Sequence, residues 1–176
     1  MKWFNHIAIA AATAAVIAPP LVPIAILGAT APDWLERVHK ALTGARLRHR
    51  GPTHYVIMWI LGLFATLTLY DVHHIGAAFF YGGLTHVTAD AFTVTGVPFS
   101  PLSDRRFHLF GGRIRTGNPE EYLVSGAIVI VCSIIAIATR HYADVSYAPF
   151  FFDYPEYYNN GLIDAAEWRQ HRFKFF

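Results

Sequence analysis

Apolar residues fall in four long stretches that are separated by basic loops and one short polar turn. The stretches cover residues 7–29, 54–70, 75–97 and 122–139. The last three approach the roughly 20 helical residues needed to cross a hydrocarbon core of about 30 Å. The pattern therefore predicts an all-α fold, an integral membrane helical bundle with three transmembrane helices after the first stretch.

The first stretch is interrupted near its middle by three prolines: Pro19, Pro20 and Pro23. Each proline removes a backbone donor and opposes a continuous helix, and each remaining half is too short to cross a bilayer. We therefore predict a re-entrant helical hairpin at the N-terminus. Such a hairpin places Asp33 on the same side of the membrane as His6, whereas a straight span would place the two residues on opposite sides.

A cleaved signal peptide is the alternative for the same segment. Lys2 followed by the apolar residues 7–18 has the form of a short basic region and a hydrophobic region. Cleavage would remove His6 from the mature protein.

Basic residues concentrate in two loops, residues 30–53 and 96–119. The first loop holds five basic side chains against two acidic ones, and the second holds four against one. A short turn at 71–74 joins the two stretches between them, so both loops fall on one face of the membrane. The positive-inside tendency makes that face cytoplasmic and places the C-terminus on the opposite side.

The composition agrees with a membrane protein and narrows the chemistry. The chain is 54% hydrophobic and 15% charged, with a mean hydropathy of +0.33. Its net charge of +2 is too small to indicate a nucleic acid partner. A single cysteine, Cys132, excludes an intrachain disulfide and a cysteine-based zinc site. Any metal must therefore be held by histidines and carboxylates.

One polar pair stands inside the third stretch, where Asp90 follows His86 by four residues. A carboxylate in apolar surroundings is costly and needs a partner. On a helix this spacing puts both side chains on one face, where an imidazole nitrogen and a carboxylate oxygen can bind the same cation. The simpler alternative is a hydrogen bond between them, or to a nearby threonine, that stabilises helix packing.

The motif HRGPTH at 49–54 joins the first basic loop to the second stretch. Its Gly-Pro pair suits the start of a helix, and the bend brings together the imidazoles of His49 and His54. Arg50 and the free amides of a helix start favour an anion such as phosphate. The predicted metal site therefore combines six side chains: His6, Asp33, His49, His54, His86 and Asp90. Such ligands suit zinc, as one or two ions, and would also accept manganese or iron.

Together with APD at 31–33, HRGPTH and the run GGLTHVTADAFTVTGVPFSP at 82–101 resemble the YdjM-like family of bacterial inner-membrane-associated, metal-dependent hydrolases. The resemblance covers roughly residues 1–125 and implies metal binding by the six positions above. It also implies a protein of the bacterial inner membrane. The three predicted spans make that protein multi-pass, and the positive-inside tendency places its metal site on the cytoplasmic side and its C-terminus in the periplasm. More distantly, the chain is similar to the zinc phospholipase C and P1 nuclease group, which implies phosphoester hydrolysis.

The predicted activity is metal-assisted hydrolysis of a phosphoester in a phospholipid or lipid-linked substrate. His86, Asp90 and the histidines of HRGPTH hold a metal that lowers the pKa of a bound water. Asp33 is the candidate general base or a second-metal ligand, and Arg50 is the candidate for holding the phosphate. A membrane lipid is the expected partner because the site lies at the depth of the headgroups.

The chain changes character after Thr139. We therefore expect residues 1–139 to form a membrane-embedded, hydrolase-like domain. Residues 140–176 form an aromatic C-terminal tail for the membrane interface, a protein partner or self-association. Two other classes stay open. One is a metal-ion transporter that uses the same cluster, and the other is a non-catalytic accessory subunit of a larger membrane assembly, for which the tail is the best argument.

Overall fold

A computed structural model describes residues 1–69, 74–139, 161 and 166, apart from the side chain of residue 104. Five helices, two strands and two short 3₁₀ turns follow one another in this order: α1 (Trp3–Ile17), a turn (Pro19–Leu21), α2 (Val22–Thr43), a turn (Pro52–His54), α3 (Val56–Thr68), α4 (Ile75–Ala91), β1 (Val97–Ser100), β2 (Ser103–Phe107) and α5 (Pro119–Thr139). The mainly helical class is confirmed. The predicted tail lies outside the described residues except for positions 161 and 166, so the division into two domains stays a prediction.

The N-terminal stretch folds back on itself, as the prolines predict. Helix α1 ends at Ile17, the 3₁₀ turn contains Pro19 and Pro20, and α2 then packs against α1. The indole Nε1 of Trp3 donates a hydrogen bond of 2.5 Å to Oδ2 of Asp33, so α2 returns to the start of α1. The reversal brings the beginning of the chain to the same end of the bundle as Asp33.

Helices α2 and α4 form the closest helix pair because glycines line their contact. A Cβ atom added to Gly82 would lie 2.0 Å from the carbonyl oxygen of Ala25, and one added to Gly28 would lie 2.0 Å from that of Phe79. The two backbones therefore touch directly, a mode of packing that small residues allow between membrane helices. This close contact fixes the distance between the functional groups of α2 and α4.

Helix α4 is shorter than the sequence predicted, because it ends at Ala91 instead of continuing to Val97. The hydroxyl of Thr93 donates to the carbonyl oxygen of Asp90 at 2.7 Å, and Gly96 adopts a left-handed conformation with φ of +60°. Both features turn the chain out of the helix. The following strands β1 and β2 pair as an antiparallel hairpin that the sequence analysis did not predict. Asp90 consequently lies in the last turn of α4.

The lengths of the helices bear on the three predicted spans. Helices α3 and α4 have 13 and 17 residues, which correspond to about 20 and 26 Å at about 1.5 Å per residue. Both are shorter than a hydrocarbon core of about 30 Å. Among the described residues, α5 is the one helix whose length and apolar composition suffice to cross a membrane. The crossing of α3 and α4 therefore stays a proposal.

Helix α5 is held to the rest of the bundle through a buried carboxylate in its first turn. Glu121 is fully buried and accepts hydrogen bonds from the backbone N–H of Lys2, from Nδ2 of Asn5 at 2.5 Å and from the backbone N–H of Gly117 at 2.5 Å. Large apolar side chains remain exposed further along the helix: Ile130, Val131, Ile134 and Ile137.

Candidate metal centre

Five of the six predicted ligands meet at one end of the bundle. His6 comes from α1, Asp33 from α2, His54 from the second 3₁₀ turn, and His86 and Asp90 from the last turns of α4. Of these, Asp33 is partly buried and the other four are each at most 2% exposed. Elements that are distant in sequence thus place imidazoles and carboxylates in one buried cluster.

Four ligand atoms surround a common point in this cluster. Nε2 of His54 lies 3.5 Å from Oδ1 of Asp33 and 4.0 Å from Oδ2 of Asp90. Nε2 of His86 lies 3.9 and 3.8 Å from the same two oxygens. A tetrahedral ion with bonds of about 2.0–2.1 Å spaces its ligands only slightly closer than this. The two imidazole nitrogens and one of these carboxylate oxygens therefore lie at distances that one ion could bridge after small inward movements.

Three of these four atoms have no hydrogen-bond partner among the described residues. They are Oδ1 of Asp33, Nε2 of His54 and Nε2 of His86, and each of these atoms is buried. A buried polar atom without a partner is costly, and most such atoms in folded proteins are paired. A cation bound by the two imidazole nitrogens would satisfy both of them, and a water bound to that cation could donate to Oδ1 of Asp33.

The outer nitrogens of the two central imidazoles are held by neighbouring groups. Nδ1 of His86 lies 2.6 Å from the carbonyl oxygen of Ala29, so Nδ1 carries the proton and Nε2 presents its lone pair to the cluster. Nδ1 of His54 lies 3.0 Å from the hydroxyl of Thr53 and 3.4 Å from Oε1 of Glu36. Such outer partners are typical of histidines that bind metals.

Glu36 is a residue of the site that the sequence analysis missed. Its carboxylate contacts His54, accepts a hydrogen bond of 3.1 Å from the backbone N–H of Arg50 and lies 3.0 Å from Nδ1 of His49. The available signal was its spacing, because Glu36 follows Asp33 by three residues and shares its helix face. It had been counted only as an acidic member of a basic loop.

His49 is the one predicted ligand that the structure does not bring into the cluster. Its side chain is 68% exposed and pairs with Glu36. His6 does belong to the cluster, because its ring stacks on that of His86 with a centroid distance of 3.7 Å. Its Nε2 lies 3.4 Å from Oδ1 of Asp90, which makes a second group of possible ligands with His86 and Asp90.

Arg50 points into the protein and not toward solvent. Its guanidinium donates to Oδ1 of Asp90 at 2.8 Å and to the hydroxyl of Thr93 at 2.7 Å, and the residue is 6% exposed. The amino group of Met1 contacts the same carboxylate oxygen. Oδ1 of Asp90 is therefore neutralised by cations, while Oδ2 faces His54 and His86.

Asp33 borders the accessible side of the cluster. Burial by itself would raise the pKa of its carboxyl, but the neighbouring imidazoles of His54 and His86 hold that pKa well below its ordinary value. A polar cavity of about 430 Å³ opens next to it. The cavity is lined by acidic and basic side chains and by the start of the chain: Met1, Lys2, Trp3, Asp33, Glu36, Arg37, His49 and Thr116.

Fold and site together define a helical protein with a buried histidine and aspartate centre at one end of its bundle and apolar helix surfaces beyond it. The chain belongs to the YdjM inner membrane protein family, whose model matches residues 1–145. The match confirms the family and the inner membrane, and it extends past the residues on which the resemblance rested. No curated protein and no solved structure matches the chain. The hydrolase activity that the resemblance implied and the similarity to the phospholipase C and P1 nuclease group stay predictions.

Proposed function

We propose that the chain is an enzyme of the inner membrane that hydrolyses a phosphoester with the help of one divalent metal ion, preferably zinc. The observation that carries the proposal is that buried atoms of Asp33, His54 and His86, without hydrogen-bond partners in the described part of the chain, lie within 4.8 Å of one another. Two imidazoles with carboxylates suit zinc, and manganese or iron would accept the same set. One ion is favoured over two because both groups of possible ligands need His86, and its Nε2 can bind only one ion.

The proposed ligands are His54, His86 and Asp90. All three are buried and rigidly supported: Ala29 holds the outer nitrogen of His86, while Arg50 holds Oδ1 of Asp90. A zinc site with three protein ligands keeps a position open for water, as catalytic zinc sites do. When bound, the ion would lower the pKa of that water and polarise the phosphoryl oxygen.

Asp33 is the proposed general base. Its Oδ2 is fixed by the indole N–H of Trp3, while Oδ1 faces the cluster and has no hydrogen-bond partner among the residues that the structure describes. A carboxylate at this position can accept a proton from a metal-bound water within hydrogen-bond distance. The side chain also borders the polar cavity, through which a substrate would reach the cluster.

The substrate we propose is a phospholipid or another lipid-linked phosphoester. Lys2 and Arg37 line the polar cavity and would attract an anionic headgroup. Arg50 was predicted to hold the phosphate, but it is engaged with Asp90. We therefore assign Arg50 to positioning that ligand. By the positive-inside tendency, the site faces the cytoplasm.

Transport of a metal ion through the cluster is a weaker alternative. An apolar cavity lies toward the end of α1 and α4 that is far from the cluster. Its lining is almost entirely apolar, with residues such as Ala14, Leu63 and Ala78. An ion leaving the cluster in that direction would lose its hydration without gaining ligands. The accessory-subunit alternative rests on the tail and predicts that metal binding is dispensable.

The proposal is tested by the release of water-soluble phosphoester or headgroup from phospholipid vesicles by purified, zinc-loaded protein. Asp33→Asn is expected to keep its zinc and to lose most turnover, since an amide cannot accept the proton. The matched control is Glu120→Gln, which makes the same change from carboxylate to amide at an exposed residue outside the cluster and the polar cavity, and it is expected to retain activity. Absence of release by the wild type, or equal turnover in Asp33→Asn, would contradict the proposed enzyme.

A further inference from the structure

Two apolar cavities lie next to each other along α1 and α4, and Tyr81 lines both of them. The first has a volume of about 350 Å³ and lies at the end of the bundle far from the cluster. The second has a volume of about 430 Å³ and lies between α1, α4 and α5. Nearly all of the lining surface in both cavities is apolar, so neither provides partners for a polar ligand.

The second cavity extends to residues that adjoin the metal centre. Its wall includes Ala89, which directly precedes Asp90, and Met1, whose amino group contacts the carboxylate of Asp90. Met1 also lines the polar cavity on the other side of the cluster, beside Lys2 and Arg37. The two apolar cavities, the buried ligand cluster and a polar opening that contains both basic and acidic side chains therefore neighbour one another in turn.

The length of the apolar path matches one leaflet of a bilayer. Along α4 the lining residues extend from Ala77 to Ala89, a separation of about 18 Å at about 1.5 Å per residue. One leaflet contributes about half of a hydrocarbon core of about 30 Å. A lipid has an apolar acyl chain of this length, then a phosphate, then a polar headgroup. These parts match, in the same order, the apolar cavities, the ligand cluster and the polar opening.

We propose that the two apolar cavities hold one acyl chain of a glycerophospholipid, with its phosphate directed to the cluster of His54, His86 and Asp90. This inference rests on the proposed function and adds the part of the substrate that it recognises. Apolar contact along the path would supply affinity, and Lys2 and Arg37 would select the anionic head. Binding of the acyl chain would then position the phosphoester that is cleaved, because Arg50 is already engaged with Asp90.

The inference is tested with a phosphatidylglycerol that carries a photoreactive diazirine near the end of one acyl chain. The full chain is reconstituted in vesicles of unlabelled phosphatidylcholine, irradiated, digested and mapped by mass spectrometry. We expect saturable labelling concentrated on α1 and α4 near Tyr81, displaced by unlabelled phosphatidylglycerol. Equal labelling of the exposed surface of α5 around Ile130 would indicate ordinary surrounding lipid and overturn the inference.

Two variants are designed to narrow the second cavity, and neither replaces a proposed metal ligand. They are Thr88→Phe on α4 and Val124→Phe on α5. Each is expected to weaken saturable labelling roughly tenfold, the equivalent of about two methylenes expelled from the cavity. The control Ile130→Phe enlarges an exposed residue of α5 and is expected to label like the wild type. Unchanged labelling in both cavity variants, with zinc content equal to the wild type, would contradict the acyl-chain site.

These experiments distinguish a failure of the acyl-chain site from a failure of the proposed hydrolysis. Saturable labelling of a zinc-loaded protein that releases no headgroup would support the acyl-chain site and contradict the proposed enzyme. If short-chain and long-chain substrates are hydrolysed at the same rate and labelling is spread over all helices, the acyl-chain site is contradicted but the enzyme is not. Displacement by a polyprenyl phosphate but not by phosphatidylglycerol would assign the cavities to a different lipid and contradict the proposal.

Discussion

Replacing Gly82 with alanine should open the metal centre, although Gly82 contacts no ligand. The added Cβ would lie 2.0 Å from the carbonyl oxygen of Ala25, whereas ordinary van der Waals contact begins at 3.4 Å. The obstructing atom belongs to the backbone, so no side chain can rotate away. Helices α2 and α4 must then separate by up to about 1.4 Å, at a typical cost of about 1–3 kcal/mol for overpacking.

The separation acts directly on the cluster because its groups lie on both helices. The gap between Oδ1 of Asp33 on α2 and Nε2 of His86 on α4, now 3.9 Å, would widen toward about 5 Å. The 2.6 Å hydrogen bond between His86 and the carbonyl of Ala29 joins the same two helices and would be lost. Losing such an outer partner typically weakens metal affinity by about 10–100-fold.

The assay is a zinc titration of purified protein in detergent, paired with a thermal melt. Gly126→Ala is the matched control, since a Cβ at Gly126 would meet nothing within 4 Å. We expect weaker zinc binding and a lower melting temperature in Gly82→Ala, and neither in Gly126→Ala. If the two variants behave alike in both measurements, the close contact of α2 and α4 does not set the geometry of the site.

Three further predictions concern the support of the site and its orientation. Glu36→Gln should weaken zinc affinity about 10–100-fold in the same titration because the carboxylate that orients His54 is neutralised; unchanged affinity would remove Glu36 from the site. Glu121→Ala should destabilise the protein by about 3 kcal/mol in a denaturant melt because buried N–H groups lose their acceptor, whereas exposed Glu120→Ala should have little effect; equal losses would refute the anchoring of α5. Reporters fused after Thr116 and after Phe176 should lie on opposite sides of the membrane, and the same side would exclude a crossing by α5.

The sequence predicted those members of the cluster that are positioned by helices or by proline-containing turns. His86 and Asp90 share a helix face by their spacing, and the prolines of the first stretch predict the reversal that returns His6 to Asp33. His54 followed from the turn formed by the Gly-Pro pair of its motif. Periodicity and proline chemistry are local rules, so these placements could be obtained without tertiary contacts.

The sequence could not predict which way the irregular segments turn. Arg50 adopts a left-handed conformation with φ of +55°, and its side chain enters the core while neighbouring His49 stays at the surface. Glu36 gains its role only because this loop folds onto α2. The end of α4 likewise depends on a hydroxyl of Thr93 that competes for a helix carbonyl. These features arise from contacts between distant parts of the chain.

The most direct test of the account is the metal content of the purified full chain, measured by elemental analysis after growth with zinc, manganese and iron supplied. We expect close to one equivalent of a divalent metal, lost in His86→Ala and in Asp90→Ala and retained in His49→Ala. A wild type that binds no metal, or that loses it as readily through His49→Ala as through His86→Ala, would contradict the metal centre.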